Sequence, residues 1–338
     1  MNSISAMKEL PLVSVCMAVC NGGETLQFAL QSAISQTYKN IEILVCDDAS
    51  TDESLDLIEK FGKKDNRIVI LKNETRVGIM ENYNNLVKNA TGKYVVLFDQ
   101  DDKRTSDFIS SAVGVLEVNP KAVIAIPRVN VLFLNQIQHA NDYSHYQFTQ
   151  TLFSRIWYFL RRPNDFLVYG LILKSSLTKA SGWSNRNSSF HRLTFGLLLE
   201  GNCLPTPEGE FSYLAKGAVG RPTRKEELIR NSSRELPGAS KFRLFVEFPI
   251  AYTESLYQIQ TLTRLQKNLI FVMIWFDFVY KSVAKILGKV LIRIFRGNLP
   301  SPILRFLTWL YHPIDEIKFL TNPKDLTSGY YRRNWPIC

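Results

Sequence analysis

Residues 13–50 read VSVCMAVCNGGETLQFALQSAISQTYKNIEILVCDDAS, and the order of apolar and polar residues in this stretch decides the fold. Two short apolar runs, VSVCMAV and IEILVCD, lie on either side of a segment with the apolar spacing of an amphipathic helix. A strand, a helix and a second strand in this order are typical of a βαβ unit, in which the two strands are parallel.

The same alternation continues to about residue 130. The helical segments DESLDLIEKF, MENYNNLVKNA and SDFISSAVGVLE alternate with the apolar runs RIVIL, YVVLFD and AVIAIPRV. Ser50 and Glu53 have the S-x-x-E spacing of a capping box, which predicts a helix start at this point. The pattern predicts a doubly wound α/β domain with a mostly parallel sheet.

Composition narrows the class of protein. The chain has 338 residues, of which 46% are hydrophobic and 21% charged, and this balance excludes a disordered, collagen-like or coiled-coil description of the whole. The five cysteines include no C-x-x-C pair, which argues against a disulfide framework or a structural zinc site and favours reduced thiols in the cytoplasm. The first 15 residues lack the pattern of a secretory signal. The cysteines are Cys16, Cys20, Cys46, Cys203 and Cys338.

Ligands of such sheets bind beyond the carboxyl ends of the strands. Neither G-x-G-x-x-G nor a P-loop motif follows the first strand, which argues against a dinucleotide site and a P-loop. The second and fourth strands instead end in Asp47-Asp48 and in Asp99-Gln100-Asp101-Asp102. Carboxylates this close repel each other, so a cation is expected, and oxygen ligands suit Mg²⁺ or Mn²⁺. The alternative is a solvated turn after a strand, where aspartate is common.

The combination of these segments is more specific than any of them alone. Residues 13–54, Gly78, the stretch NATGKYVVLFDQDD and the region of Gly170 closely resemble family 2 glycosyltransferases, strongly over residues 10–130 and more weakly to residue 220. The DQDD form looks like a bacterial subgroup often named rhamnosyltransferases. The resemblance implies a GT-A-like fold that binds a nucleotide-diphosphate sugar, an inverting transfer, and a divalent metal at the D-x-D motif.

The resemblance also implies roles for the acidic residues. Asp47 or Asp48 would accept a hydrogen bond from the nucleobase. The metal and the ribose would be held by Asp99, Asp101 and Asp102.

Further nucleotide-binding positions lie at the end of the first strand and in a later loop. Asn21 matches the family's asparagine, whereas Ala18 and Cys20 stand where the family usually has a proline or alanine and a tyrosine. The tyrosine stacks on the base, so Cys20 weakens that contact. Arg76 could face the diphosphate, and the alternative is a solvated loop arginine.

The chain departs from the family pattern where the general base is expected. The family's H-D-W-W segment corresponds to residues 189–201, and its aspartate position holds Arg192 in one alignment and Phe190 in another. The Y-R-x-H segment appears as residues 213–216, YLAK, without the arginine or histidine. His191 could serve as a substitute base because its ordinary pKa of about 6.5 suits proton transfer near neutrality. The alternative is a surface histidine that precedes a helix.

The positive charge of the chain is concentrated at its C-terminal end. Residues 221–338 carry 19 Lys and Arg against 9 Asp and Glu, whereas residues 1–220 carry 22 of each. The apolar run 269–280 is too short to span a bilayer. Five cations then follow at helical spacing on one face, which predicts a helix lying on an anionic membrane surface; the alternative is an amphipathic helix packed on the catalytic domain. The five are Lys281, Lys285, Lys289, Arg293 and Arg296.

Together these features predict a catalytic domain at residues 10–220 and a helical, basic, membrane-peripheral extension at residues 221–338. The domain would divide into a nucleotide-binding half, 10–130, and an acceptor half, 131–220. We expect a metal-dependent inverting glycosyltransferase at the cytoplasmic membrane face, acting on a lipid-linked or polysaccharide acceptor. The alternative is a non-catalytic nucleotide-sugar-binding scaffold of a glycan-assembly complex.

Two further classes of function fit the sequence less well. A cytidylyl- or uridylyltransferase would need a Gly-rich basic loop, whereas residues 21–24, NGGE, are short and acidic. No nucleic-acid-binding motif is present, so nucleic acid is not predicted as a partner.

Overall fold

A computed structural model describes the larger part of the chain. It covers residues 10–133, 136–141, 151–161, 163, 166–180, 182, 189–214 and 241–294. The description is limited to the backbone at residues 131–133, 136–141, 213–214, 241–246, 284–286 and 288–294.

The first half of the domain is the predicted α/β unit. Its four strands β1 to β4 pair in parallel in the order β3-β2-β1-β4, with three helices α1 to α3 connecting them. The strands are β1 (Val13–Val19), β2 (Ile41–Asp47), β3 (Ile68–Lys72) and β4 (Tyr94–Asp99), and the helices are α1 (Gly23–Ile34), α2 (Ser54–Gly62) and α3 (Ile79–Asn89).

The second half adds strands of both directions to the same sheet. The short β8 lies between β4 and β6 and is antiparallel to both, and β9 pairs in parallel with β6 and antiparallel with β5. The strands are β5 (Lys103–Arg104), β6 (Ala122–Phe133), β7 (Gln136–Asn141), β8 (Leu171–Leu173) and β9 (Asn202–Leu214). The helices are α4 (Phe108–Val118), α5 (Leu152–Arg161), α6 (Lys174–Lys179) and α7 (Ser189–Glu200), with a 3-10 turn at Phe166–Tyr169.

Helices cover both faces of the sheet. Alternate side chains of β1 enter two separate apolar cores: Val15 and Met17 pack with α1 and α4, and Cys16 and Ala18 lie in the core that includes α3, α5 and α7. Every residue of β1 is therefore buried. This explains why the strand reads as a continuous apolar run rather than an alternating one.

The predicted extension is helical where it is described, and it packs against the catalytic domain. Helix α8 (Lys241–Gln258) stacks Tyr252 on Phe195 of α7 at 4.8 Å between ring centroids, and Ile274 of α9 (Arg264–Ile294) joins the same core. The predicted boundary at residues 220 and 221 lies outside the described residues. None of the described helices is both long enough and apolar enough to cross a membrane.

The prediction that Lys281 begins an exposed basic face of α9 is wrong. The Lys281 side chain is only 20% exposed; its Nζ lies 2.7 Å from Asp277 Oδ2 and donates to the Leu160 carbonyl. Asp277 also pairs with Arg161 of α5 at 3.2 Å. Lys281 therefore faces the domain, because a buried carboxylate attracts it. The side chains of Lys285, Lys289 and Arg293, and the whole of Arg296, lie outside the description.

The predicted capping box is also wrong. Helix α2 begins at Ser54, and Glu53 makes no capping bond through its side chain. The Asp52 carboxylate accepts the Ser54 amide at 3.0 Å, while Ser50 Oγ accepts the Asn21 amide. Ser50 is thus used by the neighbouring loop rather than by its own helix.

Candidate active site

The ends of β1 and β4 meet where the order of the sheet reverses. From β1 the chain proceeds to β2 and β3 on one side, and β4 lies on the other side. Cys20 and Gln100 follow these two strands and exchange hydrogen bonds: the Cys20 amide donates to Gln100 Oε1 at 2.8 Å, and Gln100 Nε2 donates to the Cys20 carbonyl at 3.2 Å. Gln100 of the DQDD motif thus holds two strand ends together at the crevice where doubly wound sheets bind ligands.

The loops after β1 and β2 are joined in a strained conformation. Asn21 Oδ1 accepts the Thr51 amide at 2.9 Å, and the Asn21 amide donates to Ser50 Oγ at 3.0 Å. Asn21 and Ala49 have φ angles of 52° and 51°, in the left-handed region that costs a non-glycine residue about 1–2 kcal/mol. The hydrogen bonds between the loops hold this backbone in place. The rim of the crevice is therefore preorganised.

The two aspartates after β2 make different contacts. The buried Asp48 carboxylate accepts hydrogen bonds from Asn73 Nδ2 and from the amides of Val77 and Gly78, at 2.8–3.0 Å, and so anchors the loop after β3. Asp47 Oδ2 accepts the Ser50 amide at 3.0 Å. Its Oδ1 is buried and has no hydrogen-bond partner among the described residues. Asp47 therefore keeps an open acceptor at the rim.

The remaining predicted nucleotide-binding residues lie at the same edge. Ala18 is paired between β2 and β4, directly beside Asp99. Cys20 directs its thiol toward the Asp48 carbonyl, 3.7 Å away. Burial raises the pKa of Cys20; the charges of Asp48 and Asp47 add to this effect and that of exposed Arg76 opposes it. These electrostatic couplings place Arg76 and both aspartates near Cys20.

Three carboxylates converge at the end of β4. Ligand oxygens of Asp99, Asp101 and Asp102 lie within 4.8 Å of one another, and Asp102 is buried. Asp99 accepts hydrogen bonds from the hydroxyls of Tyr83 and Tyr169, the latter at 2.8 Å. The predicted metal residues are thus brought together, and three hard oxygen donors fit Mg²⁺ or Mn²⁺.

Arg104 of β5 lies beside this acidic cluster and was missed by sequence reasoning. Its buried guanidinium carbon lies 4.1 Å from the ring centroid of Phe98 and 4.5 Å from that of Phe211, and its Nη2 donates to the Tyr169 carbonyl at 3.1 Å. Burial lowers the pKa of Arg104 to about 10, against the opposing charges of Asp102 and Asp99. Arg104 is therefore a cation at neutral pH, held inside the protein next to the cluster. In the sequence Arg104 lies in a polar segment typical of a loop, and no pattern there predicts its burial.

The segment predicted to supply the base begins α7. Phe190 stacks on Tyr169 at 6.2 Å between ring centroids, and the Tyr169 hydroxyl bonds Asp99. His191 packs edge-on against Phe248 of α8 at 5.2 Å. Arg192 is buried and donates to Gln258 at 2.8 Å. The start of α7 thus borders the acidic cluster through Phe190, while His191 and Arg192 contact α8.

The Y-R-x-H position is described only in part. The backbone of residues 213–214 ends β9, and residues 215–216 lie outside the described residues.

The chain is similar in sequence to known glycosyltransferases. Residues 14–177 match the family model "Glycosyl transferase family 2". Over 108 residues the chain is 41% identical to the Escherichia coli protein named UDP-Glc:alpha-D-GlcNAc-diphosphoundecaprenol beta-1,3-glucosyltransferase WfaP, covering 32% of this chain and 42% of that one. Over 188 residues it is 27% identical to glycosyltransferase GlyG of Streptococcus pneumoniae, covering 55% and 56%. These matches span less than two thirds of each relative.

Solved structures share the fold. S. aureus TarS 1–349 superposes with a TM-score of 0.56 at 15% identity, covering 88% of this chain and 86% of that one. GalNAc-T7, solved with UDP, GalNAc and Mn²⁺, gives a TM-score of 0.51 at 16% identity, covering 76% and 52%. At these identities the likeness establishes the fold alone, and it confirms the predicted GT-A-like architecture.

Proposed function

We propose that this chain, whose residues 14–177 match the glycosyltransferase family 2 model, transfers one sugar from a nucleotide-diphosphate donor to a lipid-linked or polysaccharide acceptor. One observation carries the proposal: the acidic cluster of Asp99, Asp101 and Asp102 lies at the same sheet edge as Asp47 and Asp48. Binding of a nucleotide sugar would use both groups: Asp47 or Asp48 for its base, and the acidic cluster with its metal ion for its diphosphate. The name of the E. coli relative, with its diphosphoundecaprenol-linked acceptor, supports a lipid-linked acceptor.

The strand ends would bind the nucleotide. Asp47 or Asp48 would accept a hydrogen bond from the base, and the open buried Oδ1 of Asp47 favours Asp47. Ala18, Cys20 and Asn21 would line the base and ribose. Arg76 would face the diphosphate. Because Cys20 has no ring, the base lacks a stacking contact that contributes about 1–3 kcal/mol in other proteins.

Asp99, Asp101 and Asp102 would hold Mg²⁺ or Mn²⁺. When bound, the ion would stabilise the negative charge of the departing nucleoside diphosphate. The chain's own residues then position this cluster, since Tyr83 and Tyr169 fix Asp99 through their hydroxyls and Gln100 fixes the turn against β1. We further propose inversion at the anomeric carbon, in which the acceptor hydroxyl attacks from the face opposite the diphosphate.

An inverting transfer needs a base for the proton of the acceptor hydroxyl, and we assign it to His191. The support is its place one residue from Phe190, whose ring packs on Tyr169 at the acidic cluster. Replacing His191 with alanine is expected to lower turnover by about 10²-fold or more and to leave donor affinity unchanged. Phe248→Ala is the matched control, because it removes the ring packed on His191 but keeps the imidazole. Wild-type turnover in His191→Ala would assign the base elsewhere.

The proposal includes a cytoplasmic location, peripheral to an anionic membrane surface. The excess of ten positive charges in residues 221–338 supports contact with such a surface, and a lipid-linked acceptor would be found there. No nucleic-acid partner is proposed.

The transfer itself can be tested directly. Purified protein is incubated with membranes, a panel of UDP-, GDP- and dTDP-sugars, and Mg²⁺ or Mn²⁺. We expect one donor to label the lipid fraction, and EDTA to remove the labelling. Donor binding without transfer or hydrolysis would support the non-catalytic scaffold instead.

A further inference from the structure

The outward face of α9 carries a continuous row of exposed apolar side chains. Seven of them recur at steps of three or four residues, and each is 37–68% exposed. At 100° per residue they fall within an arc of about 80°. We call this row the apolar stripe: Leu265, Leu269, Val272, Phe276, Val279, Val283 and Leu287.

The opposite face of α9 fixes this orientation. Ile270 and Ile274 are buried in the core of the domain. Asp277 lies one turn further on and pairs with Arg161 and Lys281, all three side chains being mostly buried. Rotating the helix to bury the stripe would break this ion cluster and leave charges unpaired in the interior, which is strongly unfavourable. The stripe is therefore held outward.

A stripe of this length is a contact surface. From Leu265 to Leu287 it extends for about 33 Å along the helix. Soluble monomers rarely expose continuous apolar surface on this scale, whereas singly scattered apolar residues are ordinary.

The residues beside the stripe argue against pairing with another helix. In a coiled coil, the positions flanking the apolar seam usually carry Glu and Lys, which pair across the interface. Here the flanking positions between residues 266 and 282 carry no charge, so such ion pairs cannot form beside the stripe. They are Gln266, Asn268, Met273, Trp275, Tyr280 and Ser282.

We propose that the apolar stripe is inserted in the surface of the membrane, with α9 lying in the interfacial plane. This rests on the proposed function, in which the acceptor is lipid-linked. The charge of residues 221–338 agrees with this occupant: an excess of ten cations attracts anionic lipid and repels a second copy of the same segment. Lys281 faces the domain rather than the lipid. Insertion of the apolar stripe, and not attraction of this lysine to anionic lipid, therefore provides the part of membrane binding that persists at high salt.

Flotation with vesicles tests the stripe without donor or acceptor. The full chain is mixed with vesicles of phosphatidylcholine and phosphatidylglycerol at low and at high NaCl concentration. We expect wild type to float under both conditions. The double variant Val272→Gln/Val279→Gln should reduce the bound fraction at high salt at least tenfold, with an unchanged melting temperature. Val69→Gln/Val118→Gln is the matched control, because it changes two exposed apolar residues of β3 and α4.

Several outcomes would overturn the proposal. Wild type that stays at the bottom of the gradient, or floats only at low salt, contradicts apolar insertion. A dimer that the stripe variant dissociates would make a second copy the occupant. A lowered melting temperature of that variant would place part of this chain on the stripe. Donor binding is measured by calorimetry on the same proteins. A failure of the proposed transferase function is therefore distinguished from a failure of membrane binding.

Discussion

Asp101→Asn is expected to abolish most metal-dependent donor binding and to lower sugar transfer by about 10²–10³-fold. A neutral amide keeps the shape of the carboxylate but cannot supply its charge beside a dication that also binds a diphosphate. The fold should survive, because Asp101 is half-buried in a turn after β4 and asparagine has nearly the same size. Titration calorimetry with the nucleotide sugar, in Mn²⁺ and in EDTA, measures the effect on binding.

The control for this variant is Asp56→Asn, which removes an exposed carboxylate of α2 away from the strand ends. It should bind donor like wild type. If wild type and Asp101→Asn bind donor equally well with and without EDTA, the acidic cluster does not hold a metal needed for donor binding.

The strand ends were predictable because two rules act together. Burial on both faces makes the parallel strands continuous apolar runs, so their ends are visible where polar residues begin. The parallel direction then brings all these ends to one edge. The sequence alone therefore predicts that Asp47, Asp48 and the cluster at Asp99 lie together.

Contacts that join distant segments could not be predicted in this way. Asp48 anchors the loop at Val77, and Gln100 joins β4 to Cys20, through hydrogen bonds between residues 29 to 80 positions apart. The spacing of charges along α9 correctly indicated a helix but not its rotation. That rotation depends on Arg161, a partner 116 residues away, which draws Asp277 inward and Lys281 with it.

The burial of Arg104 is the clearest example of a feature that the sequence does not predict. Arg104 lies two residues after Asp102 of the acidic turn, where a charged residue is usually solvated. In the structure it is buried among Phe98, Phe108 and Phe211, which come from three different elements. Its charge offsets part of the repulsion among carboxylates of the cluster when no dication is present.

This arrangement predicts that the stability of an Arg104→Met variant depends on metal. Methionine keeps apolar contacts with the rings but removes the cation, so Asp99 and Asp102 lose a buried countercharge. In EDTA we expect the free energy of unfolding to fall by about 3–5 kcal/mol. Mn²⁺ should restore more stability to the variant than it adds to wild type, because the dication then supplies the missing positive charge. Urea melts of both proteins in EDTA and in saturating Mn²⁺ measure the difference.

The matched control is Arg128→Met, since Arg128 forms an exposed ion pair with Glu210 at 3.4 Å. Exposed pairs contribute about 1 kcal/mol or less, and this variant should respond to Mn²⁺ like wild type. Arg104→Lys separates charge from shape: it keeps a cation but loses the planar group that stacks on the rings, and its metal response should stay near that of wild type. If Arg104→Met loses the same stability in Mn²⁺ as in EDTA, Arg104 stabilises the fold by packing alone, and its charge is not coupled to the acidic cluster.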